Sequence, residues 1–479
     1  MTAMRPRRAR RGRPAGRAGM AAGGPERGGP SRARLLALRV LERVERGAAF
    51  ADLALHAGLR NGGLGVRDRA LATELVYGTL RWRGRLDWLL AQVIPRPIES
   101  LEPPVRSLLR LGAYQIVFLA GIPEAAAVDQ SVRAARAIGV ERAAGLVNAA
   151  LRRLAREHAQ LVPPTLEADP LAHLVHGLSL PEWIARRWLD RFGPAEAAAL
   201  AAASNAVPPL TVRAAGAGAH DRDALLEELS ARWPDARPTR YAPRGIVLGR
   251  GGNPAADPAF AAGRFAVQDE GSQLVVALLG AKPGESALDT CAAPGGKAAA
   301  LAEDVGALGR VVAVDVHARR LALLGREARR LGLGHLGIHA ADARGDLSPI
   351  APPGSFDRVL VDAPCSGLGT LRRNPDLRWR ARPDDAEALG ALQLALLRRA
   401  ALALRRGGAL VYSTCTLTFE ENEAVVNAFL AEAPGFAVAP RDALPAPLRE
   451  LAGDDGFLRT FPHRHDADGF FAARLERVR

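Results

Sequence analysis

The side chains able to do chemistry gather in a few short stretches of the carboxyl-terminal half. The first runs Leu288-Asp289-Thr290-Cys291-Ala292-Ala293-Pro294-Gly295-Gly296-Lys297. Asp315 closes the apolar run Val311 to Val314, and Asp342 closes another. Asp362 ends Val359-Leu360-Val361 and leads into Ala363-Pro364-Cys365, while Cys415 stands in Tyr412-Ser413-Thr414-Cys415-Thr416. All three cysteines of the chain, Cys291, Cys365 and Cys415, therefore lie in loops expected to follow strands. A thiolate is the natural nucleophile for carbon 6 of a pyrimidine ring, and its addition turns carbon 5 into a nucleophile able to accept a methyl cation. A thiol in that role needs an electropositive or basic neighbour.

The acids point to the second reactant. Gly295 and Gly296 let a backbone come close to a ligand, and the helix start behind them presents unpaired N–H groups. Asp315, about 20 residues further on, is placed to accept hydrogen bonds from the ribose hydroxyls of a nucleoside cofactor. Asp342 could face an adenine amino group. Singly, each of Asp289, Asp315, Asp342 and Asp362 reads as a turn or cap residue; together on strand ends they define a ligand cleft. The loop lacks the third glycine of Gly-x-Gly-x-x-Gly and the Gly-x-x-x-x-Gly-Lys-Ser/Thr pattern. Crowded carboxylates suit a cationic sulfonium better than a polyphosphate, so the expected cofactor is S-adenosylmethionine. The cysteines lack Cys-x-x-Cys spacing and no histidine cluster stands in, so no metal site is expected.

These groups need an α/β scaffold. Strands are expected at 286–291, 310–316, 336–341, 356–362 and 408–413, with a terminal pair near 434–439 and 468–476. Helices lie between them, as at 318–331 and 384–405. The alternation predicts a doubly wound, Rossmann-like parallel sheet over 263–479. Upstream, periodicity predicts an all-α bundle over 31–160, with helices at 67–82, 84–94, 102–119, 125–138 and 141–157, and Ser31 capping the first helix. Residues 165–262 read as a small α+β segment, with a helix opened by Pro181-Glu182-Trp183 and strands at 210–213 and 245–248. Residues 1–30 hold eight arginines and one glutamate and almost no large apolar side chain, so they read as a disordered tail. Met1, Met4 and Met20 all fall there, which leaves Met20 open as the true start.

A net charge of +14 with a pI near 10.9 favours a polyanionic partner. Lysine occurs only at 282 and 297, so one of the two sits inside the glycine loop. Few cysteines argue for a reducing compartment. No apolar run reaches the roughly 18 residues of a membrane span, and the arginine-rich start lacks the apolar core of a secretory signal.

The loops around Cys291, Cys365 and Cys415, with Arg372-Arg373-Asn374-Pro375-Asp376, Glu420-Glu421-Asn422 and Gln268-Asp269-Glu270-Gly271-Ser272-Gln273, resemble those of the RNA cytosine-5 methyltransferases, most closely their bacterial 16S rRNA branch. Leu75-Val76-Tyr77-Gly78 and Leu146-Val147-Asn148-Ala149-Ala150-Leu151-Arg152 resemble the NusB-type RNA-binding domain that branch carries. The resemblance implies that residues 291–297, Asp315, Asp342 and Asp362 bind S-adenosylmethionine. It further implies that Cys415 is the nucleophile and that Cys365 assists product release around loss of the carbon 5 proton. Thr416, His317 and Ala298 depart from the common pattern without removing a catalytic group. The resulting expectation is a cytoplasmic monomer, with no membrane or metal, acting on 16S rRNA either free or in a partly assembled small subunit. A tRNA cytosine-5 methyltransferase and a non-catalytic RNA-binding or assembly factor are the alternatives.

Overall fold

Apolar periodicity accounts for the amino-terminal region of the computed structural model, which describes residues 29–216, 221–249 and 252–478. The tail expected to be disordered lies almost wholly outside the described residues. Seven helices, Arg32–Glu45, Ala51–Asn61, Val66–Arg81, Arg83–Val93, Pro103–Phe118, Glu124–Ala137 and Ala144–Glu157, enclose one apolar core. Ser31 caps the first, its hydroxyl accepting from the Arg34 amide. Ala51–Asn61 was not expected from periodicity; it buries only Ala51, Ala54 and Leu55, too short a stripe to stand out. The chain bundle also buries charge: Glu45 accepts from Ser107 (2.8 Å), Arg106 and Arg110, and Arg110 holds Asp87 through two further bonds.

A small antiparallel sheet follows, formed by β1 (Leu210–Ala214), β2 (Arg237–Pro238), β3 (Gly245–Gly249) and β4 (Phe265–Val267) in the order β2-β3-β1-β4. Its last strand lies past residue 262, because Val212 to Ala214 pair with Phe265 to Val267 rather than ending the sheet. Helices Glu182–Phe192 and Pro194–Ser204 do not pack on this sheet. Their apolar faces, Ile184, Trp188 and Leu200, join Leu368, Leu371 and Leu417 of the carboxyl-terminal domain.

That domain is built on an eight-stranded sheet. Its strands are β5 (Ser286–Asp289), β6 (Arg310–Asp315), β7 (Leu336–Ala340), β8 (Phe356–Asp362), β9 (Leu404–Thr414), β10 (Phe436–Val438), β11 (Leu458–Thr460) and β12 (Phe470–Arg477). The order is β7-β6-β5-β8-β9-β12-β10, with β11 also pairing β12. β5 to β9 run parallel and β12 antiparallel, so the sheet is mixed. The expected parallel core and the terminal pair are both present, the latter as β10 on β12. Strand order reverses between β5 and β8, and a ligand cleft forms at such a switch point. Among the described residues, no helix is long and apolar enough to cross a membrane.

The Arg372 to Asp376 motif and the residues after it, to Arg380, dock the helical domain. Arg372 and Arg373 are tied to Asp468 (both 2.6 Å) and Arg373 also to Asp269. Asp376 accepts from the Ala51 amide (3.1 Å), Trp379 Nε1 donates to the Leu80 carbonyl (2.6 Å), and Arg380 donates to the Ala49 carbonyl (3.0 Å). Arg378 is fully buried and donates to the carbonyls of Arg81, Ser179 and Ser204 and to Asn205 Oδ1. Burial pushes its guanidinium down to about 9, with the nearby Arg81 adding to the effect. This stretch follows β8, so the helical domain is held at the carboxyl edge of the sheet, on the side of the cleft.

Candidate active site

The cleft at the switch point is a cavity of about 580 Å³. Cys291, Ala293 and Pro294 line it from the β5 loop, Asp315 from β6 and Asp342 after β7. Asp362 and Cys365 line it from β8, and Cys415 from β9. Eight of the expected site residues thus meet in one cavity. Ala292, Gly295, Gly296 and Lys297 do not line it; they form the turn behind. The Ala292 amide donates to the Val314 carbonyl (2.9 Å), tying the turn to β6. Gly295 has φ +122°, and a Cβ there would lie 2.5 Å from Leu324. A side chain at 295 is therefore excluded by backbone and packing alike. The Ala293–Pro294 bond is cis.

β8 and β9 are adjacent and parallel, with Asp362 opposite Ser413. This register carries Cys365 and Cys415 into neighbouring loops, with their sulfurs 3.2 Å apart. The loops are locked from behind by Glu421, which is fully buried. Its carboxylate accepts from the Ser366 amide (2.8 Å), the Ser366 and Thr418 hydroxyls, and Gln393 (3.0 Å). The Tyr412 hydroxyl donates to the Glu421 carbonyl, and Asn422 donates to the Thr416 carbonyl (3.1 Å). The Glu-Asn pair was visible in the sequence as part of a signature, but no spacing argument tells that it would buttress two loops.

Charge is arranged in a chain. Lys297 Nζ lies 2.6 Å from Asp362 Oδ2, and Ser413 donates to Asp362 Oδ1 (2.8 Å). Burial alone would lower the Lys297 ammonium, but Asp362 outweighs it, and Cys415 and Asp289 act in the same direction. Asp289 is buried and accepts from the Cys291 amide. Burial, reinforced by the Asp362 charge, pushes its carboxyl up to about 7. Burial likewise raises the Cys291 thiol, with Asp289 and Asp362 adding to it. The Cys365 thiol is raised well above its ordinary range by its hydrogen bond with Cys415 and by burial. The two sulfurs share this hydrogen bond, in which either can be the donor.

Asp315 accepts from the Ala293 amide (3.0 Å) and the His317 amide (2.8 Å), one on each oxygen. Each oxygen has a further lone pair for a ligand hydroxyl. Asp342 is clamped by Arg344 through side chain and amide, which holds its carboxyl down at about 2. Sequence reasoning missed Arg344 and Arg320 at the mouth and the apolar wall of Leu392 and Leu396. The two leucines lie four residues apart on helix Asp385–Ala403, a spacing indistinguishable from an ordinary core stripe. A cavity rimmed by three carboxylates, with a thiol pair at one end, fits a nucleoside bearing a positive charge.

The sheet order and the acids at its switch point define a Rossmann-like methyltransferase. Comparison with known proteins carries the assignment further. Residues 276–476 match the family described as 16S rRNA methyltransferase RsmB/F, residues 31–156 match the NusB family, and residues 180–253 match the RsmF/B-like ferredoxin-like domain. Ribosomal RNA small subunit methyltransferase B of Thermus thermophilus is 41% identical, covering 93% of this chain and 98% of that one. The probable enzyme of the same name from Bacillus subtilis is 36% identical, again over 93% and 98%. The crystal structure of PH0851 superposes with a TM-score of 0.77 at 26% identity, covering 93% of this chain and 99% of that one. The chain belongs to the RsmB/F family of 16S rRNA methyltransferases.

Proposed function

We propose that this protein methylates carbon 5 of a cytosine in 16S rRNA through a covalent adduct at Cys415. The observation that carries the reading is the pair of thiols, 3.2 Å apart, at the end of a carboxylate-lined cavity. Asp315, Asp342 and the 291–297 turn would hold S-adenosylmethionine, which would supply an electrophilic methyl group. The target cytosine leaves its stack to enter the cavity. Cys415 bonds through sulfur to carbon 6, and the electron pair released at carbon 5 takes the methyl group. Loss of the carbon 5 proton then returns electrons to the ring, breaks the bond to sulfur and frees Cys415. Cys365 takes part in this release. Asp362, held by Lys297 and Ser413, would hydrogen-bond the pyrimidine edge. The helical domain, docked beside the cleft, supplies phosphate contacts that position the RNA.

The test is methyl transfer from labelled S-adenosylmethionine to unmodified 16S rRNA transcript, followed by nucleoside identification. The reading expects 5-methylcytidine at one position. Label in any other nucleoside overturns the chemistry, and label in tRNA but not rRNA moves the substrate.

A further inference from the structure

A second cavity, of about 400 Å³, opens beside the Cys415 loop. Buried Leu368 and Leu417 form its floor, and Trp183, Trp188 and Phe419 line it together with Arg187, Asp190, Arg191 and Glu420. Phe419 is 54% exposed, an unusual placement for a phenyl ring. The Arg187 guanidinium stands 5.7 Å from the Trp183 ring and pairs with Glu420, and Arg191 pairs with Glu423. The floor is joined directly to the nucleophile's backbone: Gly369, next to Leu368, donates to the Cys415 carbonyl (2.9 Å). Leu417 lies two residues beyond Cys415, at most about 7 Å of chain. None of these residues lines the carboxylate cavity.

We propose that this pocket takes an unstacked base of single-stranded RNA flanking the target cytosine, an inference that rests on the proposed reaction. Extruding one base leaves its neighbour without a stacking partner, and the enzyme must supply a substitute. An indole with a guanidinium beside it and an exposed phenyl ring lining the same cavity offer such a surface, and stacking of this kind accepts any base. Arg187 and Arg191 stand on the lining beside Asp190 and Glu420 and are already paired, so stacking on the rings rather than charge carries the contact.

The experiment uses the full-length protein and a short RNA carrying the target, with an abasic residue placed at each neighbouring position in turn. Binding by fluorescence anisotropy and methyl transfer are read in parallel. At one position the abasic RNA should bind wild type between about 5-fold and 150-fold more weakly, the range set by about 1–3 kcal/mol per stacked base. Phe419→Ala and Trp183→Ala should weaken intact RNA to a similar degree, leave cofactor affinity unchanged, and show no further loss with the abasic RNA. Phe419 is exposed, so its truncation tests the site without threatening the fold. Penalties that simply add, or intact-RNA binding unchanged in both variants, overturn the proposal; the second result would fit a protein partner for the pocket. RNA binding with the expected coupling but no methyl transfer would uphold the pocket and reject the reaction.

Discussion

Asp289 offers a stability test of the site's electrostatics. Its carboxyl sits at about 7 in the folded chain, against about 3.9 for an unfolded aspartate. The folded state therefore binds the proton more tightly. Its contribution is fully present below about pH 4 and is lost as pH rises through about pH 7. At about 1.36 kcal/mol per pH unit the whole loss is roughly 4 kcal/mol, of which roughly 2–3 kcal/mol falls between about pH 5 and pH 8. Asp289→Asn mimics the protonated acid, and its amide oxygen can still accept from the Cys291 amide. The variant should gain on wild type by that 2–3 kcal/mol across the interval, a relative shift of roughly 5–8 °C in melting temperature for a domain of this size. Thermal unfolding of the cofactor-free proteins at both pH values reads it. Parallel pH profiles for the two proteins would refute the argument that burial, reinforced by the neighbouring Asp362, raises the Asp289 carboxyl.

Gly295→Ala should reduce cofactor affinity about tenfold or more, because both φ +122° and Leu324 oppose a side chain. Gly296→Ala, whose nearest neighbour would be Gln268 at 3.7 Å, should bind almost normally; isothermal titration with S-adenosylmethionine compares them. Arg378→Ala leaves three buried carbonyls without their donor and should cost roughly 3–5 kcal/mol, exposing the 158–170 connection to limited proteolysis while cofactor binding persists. Because the Cys365 and Cys415 sulfurs are 3.2 Å apart, a mild thiol oxidant such as diamide should join them and abolish transfer, with dithiothreitol restoring it. Peptide mapping that found both thiols free in the inactive protein would contradict this.

The legible parts of the sequence were those with a short-range physical signature. Apolar runs ending in Asp315 and Asp362 marked strand ends, and the parallel sheet followed from their alternation with helices. Contacts distant in sequence were not legible. Gly295 was readable as a close approach, but not that Leu324 is what it approaches. The buttress at Glu421 and the docking role of Arg378 depend on partners dozens to hundreds of residues away. The helix opened by Pro181-Glu182-Trp183 was grouped with the small sheet by proximity along the chain, whereas its apolar face, with that of the helix after it, matches Leu368 and Leu417. Asp342 was expected to face an adenine amino group, and in the structure much of its accepting capacity goes to Arg344, two residues on.

The most direct test of the central claim is to trap the adduct. Cys365→Ala protein incubated with S-adenosylmethionine and 16S rRNA transcript should yield a denaturant-stable protein–RNA complex, with the RNA mapped by mass spectrometry to the peptide holding Cys415. Cys365→Ala/Cys415→Ala should give none, and Cys415→Ala alone should transfer no methyl group. Continued 5-methylcytidine formation by Cys415→Ala would contradict the account.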